Sequence, residues 1–296
     1  MKSQKDRKGS TPSTCHAFDL TENRIELQRE EALNANPIGV FDSGLGGLTV
    51  VHELRRELPQ ESILYFGDLA RLPYGTKSRA QIRRFSLESA EFLLKKGVKA
   101  LVIACNSSSS AAYSLLRKRF SVPVISVIEP AVGEALRRTR NGKIGVIGTA
   151  ATIESGVYEN ELKNRNPRIQ VFTQSCPLFV PLVEEGWLNG GVTERVIEKY
   201  LSPLAKKKID VLILGCTHYP ILFQEIQLFF GPRVALVDSA GPTVRKLASL
   251  LEEKGLLCQG KRGARFEIFT SDLPRNFCRV GEKFLGEKLP RIKVVR

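Results

Sequence analysis

Twice along the chain, a run of apolar residues delivers a cysteine at its C-terminal end. Ala100–Ala104 runs into Cys105, and Asp210–Leu214 runs through Gly215 into Cys216. Each is preceded at a similar remove by an Ile-Gly-Val opening. Ile38-Gly39-Val40 comes first, with 66 residues from Gly39 to Cys105. Ile144-Gly145-Val146 comes second, with 71 residues from Gly145 to Cys216. Two units of such similar length describe an internal duplication in architecture, although residue identity between them is weak.

The rest of the pattern alternates. Ile38–Phe41, Ile63–Phe66, Ala100–Ala104 and Pro123–Val127 read as buried strands in the first half, and Lys143–Thr149, Asp210–Leu214 and Val234–Asp238 in the second. Between the first of these lie helical patterns: Val51, Leu54 and Leu58 on one face before Pro59, then Ser78 as a cap for a helix with Ile82, Phe85 and Leu93 inward, ending at Gly97. Continuous apolar strands between amphipathic helices predict parallel sheets covered on both faces. The expected fold is therefore α/β, two similar parallel-sheet domains with helices on both faces and an active site in the cleft between them. A helix around Thr243–Lys254, a strand at Arg265–Thr270 and a closing helix are expected to cross back onto the first half. That gives a first domain of 37–130 plus 241–296 and a second of 131–240. Residues 1–36 read as an extension outside the fold, disordered over Met1–Thr14 and helical over Glu22–Leu33.

A length of 296 residues, 42% of them hydrophobic, supports two cores of ordinary size. No apolar run is long enough to span a membrane, and no apolar segment follows the basic N-terminus as in a secretory signal. A cytoplasmic protein is expected. Cys15, Cys105, Cys176, Cys216, Cys258 and Cys278 are scattered without a Cys-x-x-Cys pair, so free thiols are expected, and neither a metal site nor a thiol-redox protein. The net charge of +14 lacks interleaved aromatics, so it reads as a solvated basic face; nucleic acid is not an expected partner.

In open α/β sheets, ligands bind beyond the carboxyl ends of the strands, where Asp42, Asp68, Cys105 and Cys216 all fall. A cysteine between a strand and a helix feels the helix N-terminus, which is expected to lower its pKa. Asn106 and the serines after Cys105 offer short donors for a carboxylate. Thr217 can do the same beside Cys216, and His218 can poise that thiol as acid or base. Gly44-Leu45-Gly46-Gly47 does not fit a dinucleotide fingerprint, since Thr49 stands where its third glycine belongs. It reads instead as a tight turn, with Asp42 expected to serve a thiol or a substrate ammonium.

The ordered series Asp42-Ser43-Gly44-Leu45-Gly46-Gly47, Asp68 with Pro73-Tyr74-Gly75, Cys105-Asn106, and Gly215-Cys216-Thr217-His218-Tyr219-Pro220 resembles the glutamate racemases of the aspartate/glutamate racemase family. The resemblance runs from about Ile38 to Asp272. It implies interconversion of L- and D-glutamate without a cofactor or metal, in support of peptidoglycan synthesis. By that resemblance Cys105 and Cys216 are the catalytic thiols, assisted by Asp42, His218 and Glu184. Asp42, Ser43, Tyr74, Gly75, Asn106, Ser107, Thr217 and His218 are its substrate contacts. The chain departs from the family where Ser107 replaces the usual threonine after Cys105-Asn106. The resemblance admits a homodimer, and the N-terminal extension is similar to those of members that use a cell-wall precursor as activator. Two alternatives stand beside it: a racemase for aspartate or another small acidic amino acid, and a basic binding protein for nucleic acid or DNA gyrase.

Overall fold

The structure, a computed structural model, describes residues 34–258, 263–274 and 277–295. The readings of Met1–Thr14 and Glu22–Leu33 fall outside the described residues. Ten strands are present among them. The first four are β1 (Ile38–Asp42), β2 (Ile63–Gly67), β3 (Ala100–Ile103) and β4 (Val124–Ser126). Next come β5 (Lys143–Gly148), β6 (Gln170–Ser175), β7 (Val211–Gly215) and β8 (Ala235–Val237). Two follow near the C-terminus, β9 (Phe266–Thr270) and β10 (Ile292–Val294).

They form two wholly parallel sheets, ordered β10-β9-β2-β1-β3-β4 and β6-β5-β7-β8. The duplication seen in the sequence is visible here as topology: β2-β1-β3-β4 and β6-β5-β7-β8 repeat the same order. In each, the Ile-Gly-Val strand lies beside the strand that leads to a cysteine. The repeated glycine has a packing reason in both. A Cβ on Gly39 would come within 3.0 Å of Val98, and one on Gly145 within 2.6 Å of Ile209. Both neighbours stand two residues before the cysteine-bearing strand begins, so each side chain tucks under the glycine of the adjacent strand.

β1, β2, β3 and β7 are buried along their whole length, as expected of parallel strands with helices on both faces. The helix Leu48–Glu57 buries Leu48, Val50, Val51 and Leu54, and Leu58, at its C-cap, packs partly buried against the same core. Ser78 caps the helix Arg79–Leu94 by accepting the N–H of Gln81 at 3.3 Å. β6 and β10 were not expected. Both are edge strands, and β6 is only half-covered, so neither carries the apolar run that marks the central strands. The C-terminal stretch adds β9 beside β2 and β10 beside β9 in the first sheet.

Candidate active site

The order β2-β1-β3 makes the chain leave β1 and β3 in opposite directions, which opens a crevice at their carboxyl ends. Asp42 closes β1 there, and its Oδ2 accepts the N–H of Gly44 at 3.0 Å. Tyr65 steadies the same turn by donating its hydroxyl to the Gly44 carbonyl at 2.7 Å. Cys105 follows β3 as the N-cap of the helix Asn106–Arg119, accepting the N–H of Ser108 at 3.5 Å. Its thiol lies 3.6 Å from the Ser43 hydroxyl.

The second sheet repeats the crevice between β5 and β7. Cys216 follows β7, with its sulfur 4.0 Å from Nδ1 of His218. Nε2 of the same ring lies 3.3 Å from Oε1 of Glu184, so a carboxylate, an imidazole and a thiol form one chain. The two halves meet closely at this point. A Cβ on Gly46 would overlap the Thr217 hydroxyl and sit 2.7 Å from Nδ1 of His218, so the glycine turn of the first half rests directly on the cysteine loop of the second.

Between the halves lies a small cleft, partly open to solvent. The first half lines it with Ser43, Cys105, Asn106 and Ser107, and with Leu72–Gly75; the second half lines it with Thr149, Val180, Cys216, Thr217 and His218. Gly75 permits a second close approach, because a Cβ there would lie 2.5 Å from Cβ of Thr149. Tyr74 donates its hydroxyl to Asp68, which also accepts from Ser271 at 2.8 Å and pairs with Arg71 at 2.7 Å. Asn106 accepts the Tyr158 hydroxyl through Oδ1 at 2.6 Å, while its Nδ2 is buried without a partner. An unpaired amide donor in a cavity wall is a ready contact for an anionic group.

Two of the anticipated residues stand apart from the cavity wall. Asp42 is fully buried, with Oδ1 unpartnered, and it is not a lining residue. Glu184 also stays behind the wall and reaches it through His218. Asp42, expected to serve a thiol or a substrate ammonium, thus stands one residue behind the wall that Ser43 begins. The apolar strand β1 holds its last side chain in the core, and the cavity begins one residue later at Ser43.

The expected lowering of the Cys105 thiol pKa is also corrected. Burial pushes the Cys105 thiol up to about 12, the Asp42 carboxylate adds to the rise, and the Ser108 N–H and Ser43 hydroxyl oppose it without prevailing. Cys216 is not at the start of an α-helix; a 3₁₀ turn, Tyr219–Leu222, separates it from the helix Phe223–Phe230. His218 shows the opposite balance. Burial alone would favour its neutral ring, but the hydrogen bonds and charges of Cys216 and Glu184 outweigh this and hold it up to about 10. Burial raises Asp42 above the ordinary carboxyl range, against the charge of His218 and three backbone N–H groups.

Sequence reasoning missed Thr149, Thr152, Tyr158 and Val180. For Thr149 a signal existed in the duplication: aligning Gly39 with Gly145 places Thr149 opposite Ser43, the first residue of the cavity wall. Among the described residues no group of three or more His, Cys, Asp or Glu side chains is placed to hold a metal ion. No helix among them is long and apolar enough to cross a membrane.

Comparison with known proteins follows the same lines. The family model for Asp/Glu/Hydantoin racemases matches residues 38–247. A curated relative, a glutamate racemase of Geobacter metallireducens, is 48% identical over 252 residues, which cover 85% of this chain and 93% of the relative. Among solved structures, the glutamate racemase of Francisella tularensis in complex with D-glutamate superposes with a TM-score of 0.84 at 43% identity, covering 89% of this chain and 98% of that one. Escherichia coli glutamate racemase, in complex with L-glutamate and the activator UDP-MurNAc-Ala, superposes with a TM-score of 0.73 at 27% identity, covering 88% and 98%. A cavity with one buried thiol from each of two repeated sheets, the match over residues 38–247, and relatives of such identity along nearly their whole length place this chain in the Asp/Glu racemase family.

Proposed function

We propose that this chain is a glutamate racemase that moves a proton between opposite faces of one carbon, using Cys105 and Cys216. The observation that carries the reading is that both thiols line one small cavity, each held by a different sheet. Racemisation has mirror-image ends, so one sulfur must remove the α-proton as a thiolate while the other, as a thiol, returns one from the far side. The electron pair of the broken C–H bond rests on the α-carbon and its carboxylate until the second proton arrives. Proton count balances: one thiol is formed and one thiolate is left, and the enantiomer bound decides which is which.

The wall around the thiols fits the needs of that intermediate. Ser43, Asn106, Ser107, Thr149 and Thr217 place hydroxyl and amide donors where carboxylates must be held, a stabilisation that costs no reorganisation during the reaction. Tyr74 and Gly75 complete the lining. A charged His218 ring 4.0 Å from Cys216 stabilises negative charge as it develops on that sulfur, with Glu184 holding the ring from behind. On the other side Asp42 works through its effect on Cys105 and through the turn that presents Ser43. General acid–base assistance of this sort contributes about 100- to 10,000-fold.

The same reading assigns the chain to peptidoglycan precursor supply in the cytoplasm. It keeps the division of the chain into a first domain of 37–130 plus 241–296 and a second of 131–240. The Escherichia coli complex makes UDP-MurNAc-Ala the natural activator to assay, together with the oligomeric state. The test is circular dichroism of the purified protein with each enantiomer of glutamate and of aspartate, with and without EDTA and with the precursor. Decay of both glutamate signals to zero at an EDTA-independent rate is expected. Faster decay of aspartate, or none with either acid, would refute the assignment.

A further inference from the structure

The helix Phe277–Leu285 lies in the C-terminal stretch that adds β9 and β10 to the first sheet, yet it reaches the cysteine loop of the second half. The Phe284 ring, itself buried, stands 5.1 Å from the His218 ring, centroid to centroid, at 78°. The same helix is seated on the first half at Gly281, where a Cβ would come within 3.4 Å of Leu48. It also approaches the helix that carries Glu184. The guanidinium of Arg279 reaches Gly186, the residue that ends that helix, to within 2.9 Å of the position a Cβ would take.

His218 uses both edges of its ring, Nδ1 toward Cys216 at 4.0 Å and Nε2 toward Glu184 at 3.3 Å. Neither contact is short, and rotation about the last bond of a histidine side chain meets only broad, shallow wells. Two long hydrogen bonds do not fix such a ring by themselves, so its orientation falls to packing. On one side the missing side chain of Gly46 lets the glycine turn close on Nδ1. Phe284 is the aromatic neighbour that packs against the ring.

We propose that Phe284 is a positioning residue that holds the His218 imidazole so that it bridges Glu184 and Cys216. Phe284 does not line the cavity, so it acts through His218 and not on the substrate. The titratable groups facing the ring are Cys216, Glu184 and Asp42, and the C-terminal helix brings Arg279 and Lys283 near Gly186. Only the kinetic consequence rests on the racemase reading.

The experiment is nitrogen-15 NMR of the imidazoles in the wild type, Phe284→Leu and Phe284→Met, between pH 5 and 11. The chain has three histidines, and one is an internal control. Nδ1 of His52 contacts the carbonyl of Leu285 at 2.7 Å, so its signal reports whether the C-terminal helix stays docked. With Phe284 replaced, His218 is expected to lose its proton about one pH unit lower, as an aromatic neighbour lost from a buried cation implies. His52 is expected to stay unchanged. kcat should fall about two- to tenfold while KM holds, the range for one aromatic contact. An unaltered His218 titration in a folded variant overturns the proposal. So does a change at both histidines, or unfolding of both variants, because Phe284 would then be a core residue only.

Discussion

Oγ of Ser107 and Oγ1 of Thr149 lie 2.9 Å apart, one from each half of the molecule, and join them by a hydroxyl bridge across the cleft. Thr152 extends the bridge, 3.1 Å from Thr149 and 3.4 Å from Ser107. Three hydroxyls bonded mainly to one another carry protons that a carboxylate can accept. The cluster therefore links the gap between the halves to the capture of an acidic substrate.

Ser107→Ala and Thr149→Ala should each raise KM for glutamate, by about tenfold if a hydrogen bond to a charged group worth about 1.5 kcal/mol is lost. Because the two hydroxyls form one unit, the double variant should cost less than the product of the single effects. Steady-state kinetics of the three variants checks this, and strict multiplicativity would show that the bridge does not act on the substrate as a unit.

Cys105→Ala and Cys216→Ala should each abolish racemisation while the far-ultraviolet spectrum is kept, since each thiol serves a different face. Each Cys→Ser variant should retain exchange of the α-proton with solvent deuterium from one face only, followed by NMR. Wild-type turnover in either alanine variant would end the two-thiol reading.

The strands and the thiols were legible because the physics that makes them is local. A parallel strand with helices on both faces must be apolar throughout, and Ala100–Ile103 and Val211–Gly215 are. What the chain did not announce was the state of those thiols. Cys105 has the helix N-terminus that sequence reasoning assigned it, and the Ser108 N–H donates to it, but burial and the Asp42 carboxylate outweigh that donor. The sum depends on groups 63 residues apart along the chain. Tyr158 was invisible for the same reason: its hydroxyl meets Asn106 from the other half, and nothing near either residue marks the pair. β6 was missed because an edge strand is half-covered and loses the apolar signature.

Tyr158→Phe should be tolerated by the fold and felt by the substrate. It removes the donor to Asn106 Oδ1 at 2.6 Å and leaves a buried acceptor unpaired, at a cost of about 1–3 kcal/mol. The Asn106 amide, a lining residue of the cavity, is then no longer held in one orientation. KM should rise about tenfold with a smaller fall in kcat. A change confined to thermal stability would make Tyr158 a core residue alone.

The last expectation concerns pH and follows from the sign of the His218 shift. In the unfolded chain this imidazole loses its proton near pH 6.5, whereas in the native protein Cys216 and Glu184 hold it to about 10 despite burial. The native state therefore binds the proton more tightly. Below pH 6.5 both states are charged and the contribution to stability is fully present. As pH rises from 6.5 toward 10 it is progressively lost. A second effect runs the other way: with a sequence pI of about 9.6, net positive charge and its self-repulsion diminish over the same range. The test must accordingly be a difference between proteins, not a single curve. Thermal unfolding of the wild type, Glu184→Gln and His218→Asn at pH 6, 8 and 10 isolates the histidine. The advantage of the wild type over His218→Asn should be greatest at pH 6 and shrink by pH 10, at about 2–4 °C in Tm for each kcal/mol. Glu184→Gln removes one of the partners that hold the proton, so its curve should fall between the other two. An advantage that stays constant with pH would mean that His218 is not held charged in the native protein, and its role beside Cys216 would reduce to hydrogen bonding by a neutral ring.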